Sequence, residues 1–296
     1  MKSGFVSLVG RPNTGKSTLL NSLIGYKIAI TSDKSGTTRN NVQGIYSTDD
    51  TQIVFVDTPG IHKPKTKLGN ILNEQAYYSV NDVDIILFLV DVTKDFGKGD
   101  SYILNKIKEA NKPTFLILNK IDKIKKEELF NLITKYKDLY DFKEIVPVSA
   151  IKGINKDELI NTLKKYLPDT VKYYPDDDLT DVSLEFRASE LIREKILRLT
   201  NDEVPHTVSV AINEYIDKKD KVIINATIIV ERDSIKSIII GKNGSMLKEI
   251  GTKARIDIEK MTGKKAYLDL FVKTIKNWRD KEKYLKELGF YDLIDE

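Results

Sequence analysis

Residues 10–18 read Gly10-Arg11-Pro12-Asn13-Thr14-Gly15-Lys16-Ser17-Thr18, between an apolar run (Phe5 to Val9) and a stretch carrying Leu19, Leu20 and Leu23. This is GxxxxGKS spacing in the context it requires, with a strand entering and a helix leaving. The glycines let successive backbone N–H groups face phosphate oxygens, and the helix N-terminus adds a dipole that favours anions. In such a cradle Lys16 bridges the β- and γ-phosphates and the Ser17 hydroxyl ligates Mg2+.

A phosphate cradle does not choose the base. Asn119-Lys120-Ile121-Asp122 stands just past another apolar run. A carboxylate at Asp122 accepts two hydrogen bonds from the N1–H and 2-amino groups of guanine, which adenine lacks. Asn119 would steady the O6/N7 edge, Lys120 would cover the ring, and Ser149-Ala150 would bring a backbone N–H near O6. Adenine would leave the carboxylate unpaired, a discrimination of roughly 2–5 kcal/mol. Asp57-Thr58-Pro59-Gly60 follows the run Ile53 to Val56, which sets Asp57 to hold a magnesium-bound water and the Gly60 N–H to sense a γ-phosphate. The polar loop Gly36-Thr37-Thr38-Arg39 can supply a hydroxyl to the metal. Such loops order around a triphosphate and relax after hydrolysis. Five segments in this order and spacing predict a GTPase.

To bring these segments together the chain needs parallel strands whose carboxyl ends face the ligand. The runs Phe5 to Val9, Ile53 to Val56, Ile85 to Val90, Thr114 to Leu118 and Ile145 to Val148 are apolar throughout rather than alternating, as in strands covered by helices on both faces. They predict an α/β domain with a central, mostly parallel sheet over residues 1–168. Two prolines and an acidic run then mark a linker at 169–181. Beyond it, residues 182–296 read as a smaller α+β domain. A helix from about Leu184 to Leu199 carries apolar residues at Leu184, Leu191, Ile192 and Ile196, and strands follow at Thr207 to Ile216 and Lys221 to Glu231. A short helix ends near Ile240, a longer one runs to about Met261, and a last strand spans Ala266 to Val272.

Between those two helices stands Gly241-Lys242-Asn243-Gly244, the GxxG turn of KH domains, in the α-β-β-α-α-β order of type II. A tight GxxG lets the backbone approach a nucleic-acid strand, and such loops clamp about four nucleotides. Lys242 and Lys248 add charge. Residues 235–281 hold 12 basic and 5 acidic residues, a local +7, while residues 171–234 and 282–296 together are net −8. Such a basic face suits backbone contacts to single-stranded RNA. Ile238, Ile239, Leu247 and Ile250 are divided between that groove and the core, and Trp278 is expected to pack rather than stack on a base.

Composition excludes other chemistry. The 296 residues contain no cysteine and two histidines, which removes disulfides, zinc ribbons, thiol catalysis and His-rich metal sites. Neither His62 nor His206 is given a catalytic role. The total of 48 basic against 44 acidic residues, +4, says nothing about partners. No signal peptide or membrane-spanning run is evident, so a soluble, intracellular protein is expected. Asp95-Phe96-Gly97 copies a kinase magnesium motif, but no kinase catalytic loop precedes it and it reads as an ordinary loop.

Together these residues resemble the Era family, within the translation-factor-like class of GTPases, whose hallmark is this G domain followed by a carboxyl-terminal KH domain. The resemblance covers essentially the whole chain. It implies that Thr38, rather than Thr37, joins Ser17 and Asp57 in ligating Mg2+. It also implies binding of GTP and GDP, and docking on 16S rRNA near its 3′ end during late assembly of the small ribosomal subunit. A monomer is implied as well, in the cytoplasm, with loose peripheral association with the inner membrane face.

Ras-like enzymes orient the attacking water with a glutamine just after DxxG. Here that position is Ile61, which can neither donate nor accept, so slow intrinsic turnover is expected. Asn13 resembles the asparagine that ligates K+ beside the phosphates in related GTPases, although stiffening of the loop explains it equally. Catalytic roles thus fall to Lys16, Thr38, Gly60 and Asn13, with Arg39 a second source of positive charge. Two alternatives remain: a GTPase assisting tRNA modification, and one whose KH-like domain contacts protein rather than RNA.

Overall fold

The computed structural model describes residues 1–61 and 63–291. The chain forms two units, residues 1–31, 38–64 and 69–181, and residues 32–37, 65–68 and 182–296. His62 lies outside the described residues.

The first sequence half runs β1 (Lys2–Gly10), α1 (Lys16–Ile24), β2 (Val42–Ser47), β3 (Thr51–Asp57), α2 (Lys67–Asn81), β4 (Ile85–Asp91), α3 (Lys98–Ala110), β5 (Thr114–Asn119), α4 (Lys126–Lys137), β6 (Glu144–Val148) and α5 (Lys156–Tyr166). The six strands form one sheet in the order β2-β3-β1-β4-β5-β6, parallel except for β2 against β3. Every residue of β3, β4 and β5 is buried, which is why these strands are apolar without alternation. β1, β3, β5 and β6 end at Gly10, Asp57, Asn119 and Val148, so four of the five site segments start where a strand stops, and the fifth, with Thr38, precedes β2.

β2 has no counterpart among the predicted strands. It is a sheet edge with buried and half-buried positions mixed, so its sequence lacks the continuous apolar run of its neighbours. Its outer side is covered: Ile45 N donates to Leu179 O at 2.9 Å and Gln43 N to Asp181 Oδ1 at 3.1 Å. Gln52, fully buried, accepts from Tyr173 N and donates to Tyr174 O. Residues 169–181 therefore lie along the first unit as a strap, which removes an exposed edge. Burial there raises the Asp181 carboxyl above the ordinary aspartate range.

The remaining elements are α6 (Leu184–Leu199), α7 (Val204–Thr207), β7 (Ser209–Asp217), β8 (Lys221–Val230), α8 (Asp233–Ile240), α9 (Ser245–Thr262), β9 (Lys265–Thr274) and α10 (Glu282–Glu287). Their sheet has the order β7-β8-β9, with β8 antiparallel to β7 and parallel to β9. Ser183 caps α6, its side chain accepting from Phe186 N. Leu191, Ile192 and Ile196 enter the core, but Leu184, in the uncovered first turn, is exposed. Thr207, expected in a strand, closes the short α7 that starts at Val204 with Pro205 in its first turn. β8 alternates over its first eight residues: Val222, Ile224, Ala226 and Ile228 are buried, whereas Lys221, Ile223, Asn225 and Thr227 face outward. Trp278 is fully buried and its indole N–H donates to Thr207 O at 2.9 Å, so the ring packs and is not available for stacking on a base.

Candidate active site and nucleic-acid groove

The phosphate loop crosses from β1 to α1 through two left-handed residues, Asn13 (φ 67°) and Gly15 (φ 98°). Glycine is required at 15 on two counts: the positive φ, and a Cβ that would lie 2.3 Å from the Asn119 amide nitrogen. Gly60 is held as closely, since a Cβ there would meet the Pro12 backbone at 2.9 Å. The Lys16 ammonium sits against the carbonyls of Gly10 and Arg11, each at 3.2 Å. Its burial lowers its pKa to about 8, against the opposing charge of Asp57. Thr58, also buried, donates to Leu8 O and anchors the start of the following loop.

Three oxygens converge beside Lys16. Ser17 Oγ lies 2.5 Å from Asp57 Oδ2 and 2.9 Å from Thr38 Oγ1, and Thr38 Oγ1 lies 3.3 Å from the same carboxylate oxygen. Thr37 is not part of this group; its hydroxyl donates to Lys34 O. Asp57 is completely buried, which raises its pKa, and its Oδ1 has no hydrogen-bond partner. A buried carboxylate with an unmatched oxygen beside two hydroxyls is a donor set for a hard, oxygen-ligated cation, so these residues fit Mg2+.

At the base-recognition end, Asn119 acts as a strut. Its amide donates to Thr14 O at 2.8 Å, and its Oδ1 accepts from Lys120 N at 2.8 Å and Ala150 N at 3.0 Å. Both ends of its side chain, and the Ala150 N–H, thus join the segments around a guanine site. Lys120 bridges Asn13 O and the Asp91 carboxylate. Ser149 donates to Asp122 Oδ1 at 2.6 Å and so holds that carboxyl below the ordinary aspartate range. The hydrogen bond fixes Asp122 ionised and oriented, as an acceptor for two adjacent donors must be.

Ile61 is 2% exposed and belongs to the core with Val9, Phe88 and Val90. Arg39 is buried as well. Arg11 pairs with Asp100, which also accepts from Gly97 N and so caps α3. The Asp95-Phe96-Gly97 loop therefore braces the phosphate loop from behind. Its Phe96 stands edge-on to Tyr136.

In the second unit, Gly241 (φ 73°, ψ 172°), Asn243 (φ 52°) and Gly244 (φ 77°) make the sharp turn between α8 and α9. Beside it lies an open groove of about 400 Å³ lined by Gly244, Leu247, Lys248, Gly251, Thr252, Arg255, Leu268 and Leu270. Ile239 and Ile250 are core, and Ile238 is half exposed outside this lining. Sequence reasoning reached Lys248 but missed Gly251, Thr252 and Arg255. Their spacing of three, four and seven from Lys248 on one helix was the available signal.

Comparison with known proteins matches both domains of the chain. The family model described as 50S ribosome-binding GTPase matches residues 5–120, and the KH domain model matches residues 203–279. Two crystal structures, a variant of Aquifex aeolicus Era bound to GDP and AlF4−, and Era in complex with MgGDPNP and nucleotides 1506–1542 of 16S ribosomal RNA, are each 43% identical to this chain. Each has a TM-score of 0.95 and covers 98% of this chain and 99% of its own.

Proposed function

The chain belongs to the Era family of GTPases, and on that premise we propose that it binds 16S rRNA near the 3′ end through its KH groove, under control of GTP hydrolysis, during small-subunit assembly. The observation that carries this reading is the presence on one chain of a complete guanine-nucleotide site and an open GxxG groove with Lys248 and Arg255 in its wall. The rRNA segment follows from the Era complex cited above. The protein acts as a monomer in the cytoplasm. Contact with the inner membrane face is peripheral; among the described residues no helix is long and apolar enough to cross a membrane.

Ser17, Thr38 and Asp57 would hold Mg2+, whose charge neutralises the β- and γ-phosphates during transfer. The chain's own part is positioning. Lys16 and the loop N–H groups fix the phosphates, Asp122 fixes guanine, and the Gly60 N–H senses the γ-phosphate. The Ile61 side chain, packed in the core, offers no polar atom to the attacking water, so turnover by the chain alone is slow. Asn13 would offer its side-chain carbonyl to K+ beside the phosphates, where the ion would add positive charge to that of Lys16.

Crosslinking the protein to cellular RNA with GDPNP or GDP present, then mapping the bound sites, tests the function. A peak at the 3′ end of small-subunit rRNA that changes with the nucleotide is expected. Scatter over unrelated RNAs would remove the assignment.

A further inference from the structure

β9 is an edge strand with two different faces. Leu268 and Leu270 line the GxxG groove, while Lys265, Tyr267, Asp269, Phe271 and Lys273 point to the other side of the sheet. Tyr267 and Phe271 are 62% and 64% exposed, which is unusual for two aromatics on one strand with no ring contact to another aromatic among the described residues. They stand four residues apart, about 13 Å along the strand, so each would take a separate base.

The surroundings favour a polyanion with flat faces. Lys221 Nζ lies 5.4 Å from the centre of the Tyr267 ring and Lys236 Nζ 5.8 Å from that of Phe271. Lys265 pairs in register with Lys221, and Lys273 follows Phe271 on the same face. The acidic groups here are Asp269, between the two rings, and Glu214, already engaged by Asn225 Nδ2 at 2.6 Å. Four lysines bracket two rings, and a carboxylate separates the rings. Ile223 and Ile216 continue the row of Tyr267 across the sheet, but the row of Asp269, Asn225 and Glu214 separates that apolar strip from Phe271, so phosphates can follow the lysines while bases rest on the two rings.

We propose that this open sheet face is a second RNA surface, on which bases of the single strand held in the GxxG groove stack after the strand crosses the free edge of β9. The proposal rests on the reading of that groove as an RNA site. Sheet-borne aromatics that stack successive bases are an established way of holding single-stranded RNA.

The test uses the full chain and two single-stranded RNAs, one of about four nucleotides to match a GxxG clamp and one three times as long, with binding followed by fluorescence anisotropy. Tyr267→Ala with Phe271→Ala is expected to weaken the long RNA about tenfold or more while leaving the short RNA and GTP hydrolysis unchanged. Tyr267→Phe and Phe271→Tyr should retain wild-type affinity, since stacking survives. A base analogue in the distal part of the long RNA should be quenched by the wild type and not by the double alanine variant. Equal affinity of the wild type for both RNAs, or an unchanged long-RNA affinity in the double variant, would overturn the proposal. So would loss of self-association in that variant without loss of RNA binding, since the face would then join two copies. The groove reading fails separately, if Gly241→Asp with Gly244→Asp leaves binding of the short RNA intact.

Discussion

In the nucleotide site Asn119, Ser149, Asp57 and Lys16 are all less than one-tenth exposed, and Asn119 alone links three neighbours. At the GxxG turn Lys242 and Lys248 are exposed, and their ammonium groups make no ion pair or hydrogen bond among the described residues. The first region is held by buried, mutually bonded side chains, so it can discriminate by a single misplaced donor. The second has its backbone turn fixed and its charges loose, so it gains affinity by summing many weak contacts and accepts a strand of variable shape.

The contrast implies different sensitivities to single changes. The largest effect is expected for Asp122→Ala, which removes the ionised acceptor that Ser149 orients; GTP affinity should fall by about 2 kcal/mol or more, roughly thirtyfold, with ATP binding unchanged. Isothermal titration with both nucleotides checks this. An equal loss for GTP and ATP would mean that the carboxylate supports the fold and does not select the base. A smaller, several-fold effect is expected from the cation: phosphate release should run faster in K+ than in Na+ at equal ionic strength, and Asn13→Ala should erase the difference. Identical rates in the two salts would leave Asn13 only its left-handed turn. The smallest effect belongs to Lys248→Ala, one charge among many. RNA affinity should drop only a few-fold, and the slope of log affinity against log salt should become shallower by about 0.7, the value for one phosphate contact on a single strand. A slope that does not change would place Lys248 outside the phosphate path.

Legibility in the sequence follows the same divide. The phosphate loop, Asp57 and the Asn119 segment could be read because strand ends and motif spacing coincide: each starts where a strand with a buried carboxyl-terminal half stops. What Asn119 does was harder to see. Its contacts with Thr14 and Ala150 join positions 105 and 31 residues away, a closure that spacing does not encode. The edge strand β2 and its cover of residues 179–181 escaped for a related reason, because neither carries the apolar signature of a central strand and each makes sense only beside the other. In the second domain the α-β-β-α-α-β order and the GxxG turn were legible, and so was the packing of Trp278. The wall of the groove was not, since Arg255 and Leu270 become neighbours only when α9 lies against β9. The exposed pair Tyr267 and Phe271 reads in the sequence as ordinary strand aromatics; only the one-sided burial of β9 separates them from Ala266 and Val272.

The two sites can be separated most directly in one preparation of Gly241→Asp with Gly244→Asp, assayed for phosphate release from GTP and for binding of the 16S rRNA 3′ segment. Side chains and negative charge in the turn should abolish RNA binding while GTP hydrolysis stays at the wild-type rate. RNA binding that survives alongside unchanged hydrolysis would contradict the assignment of the groove.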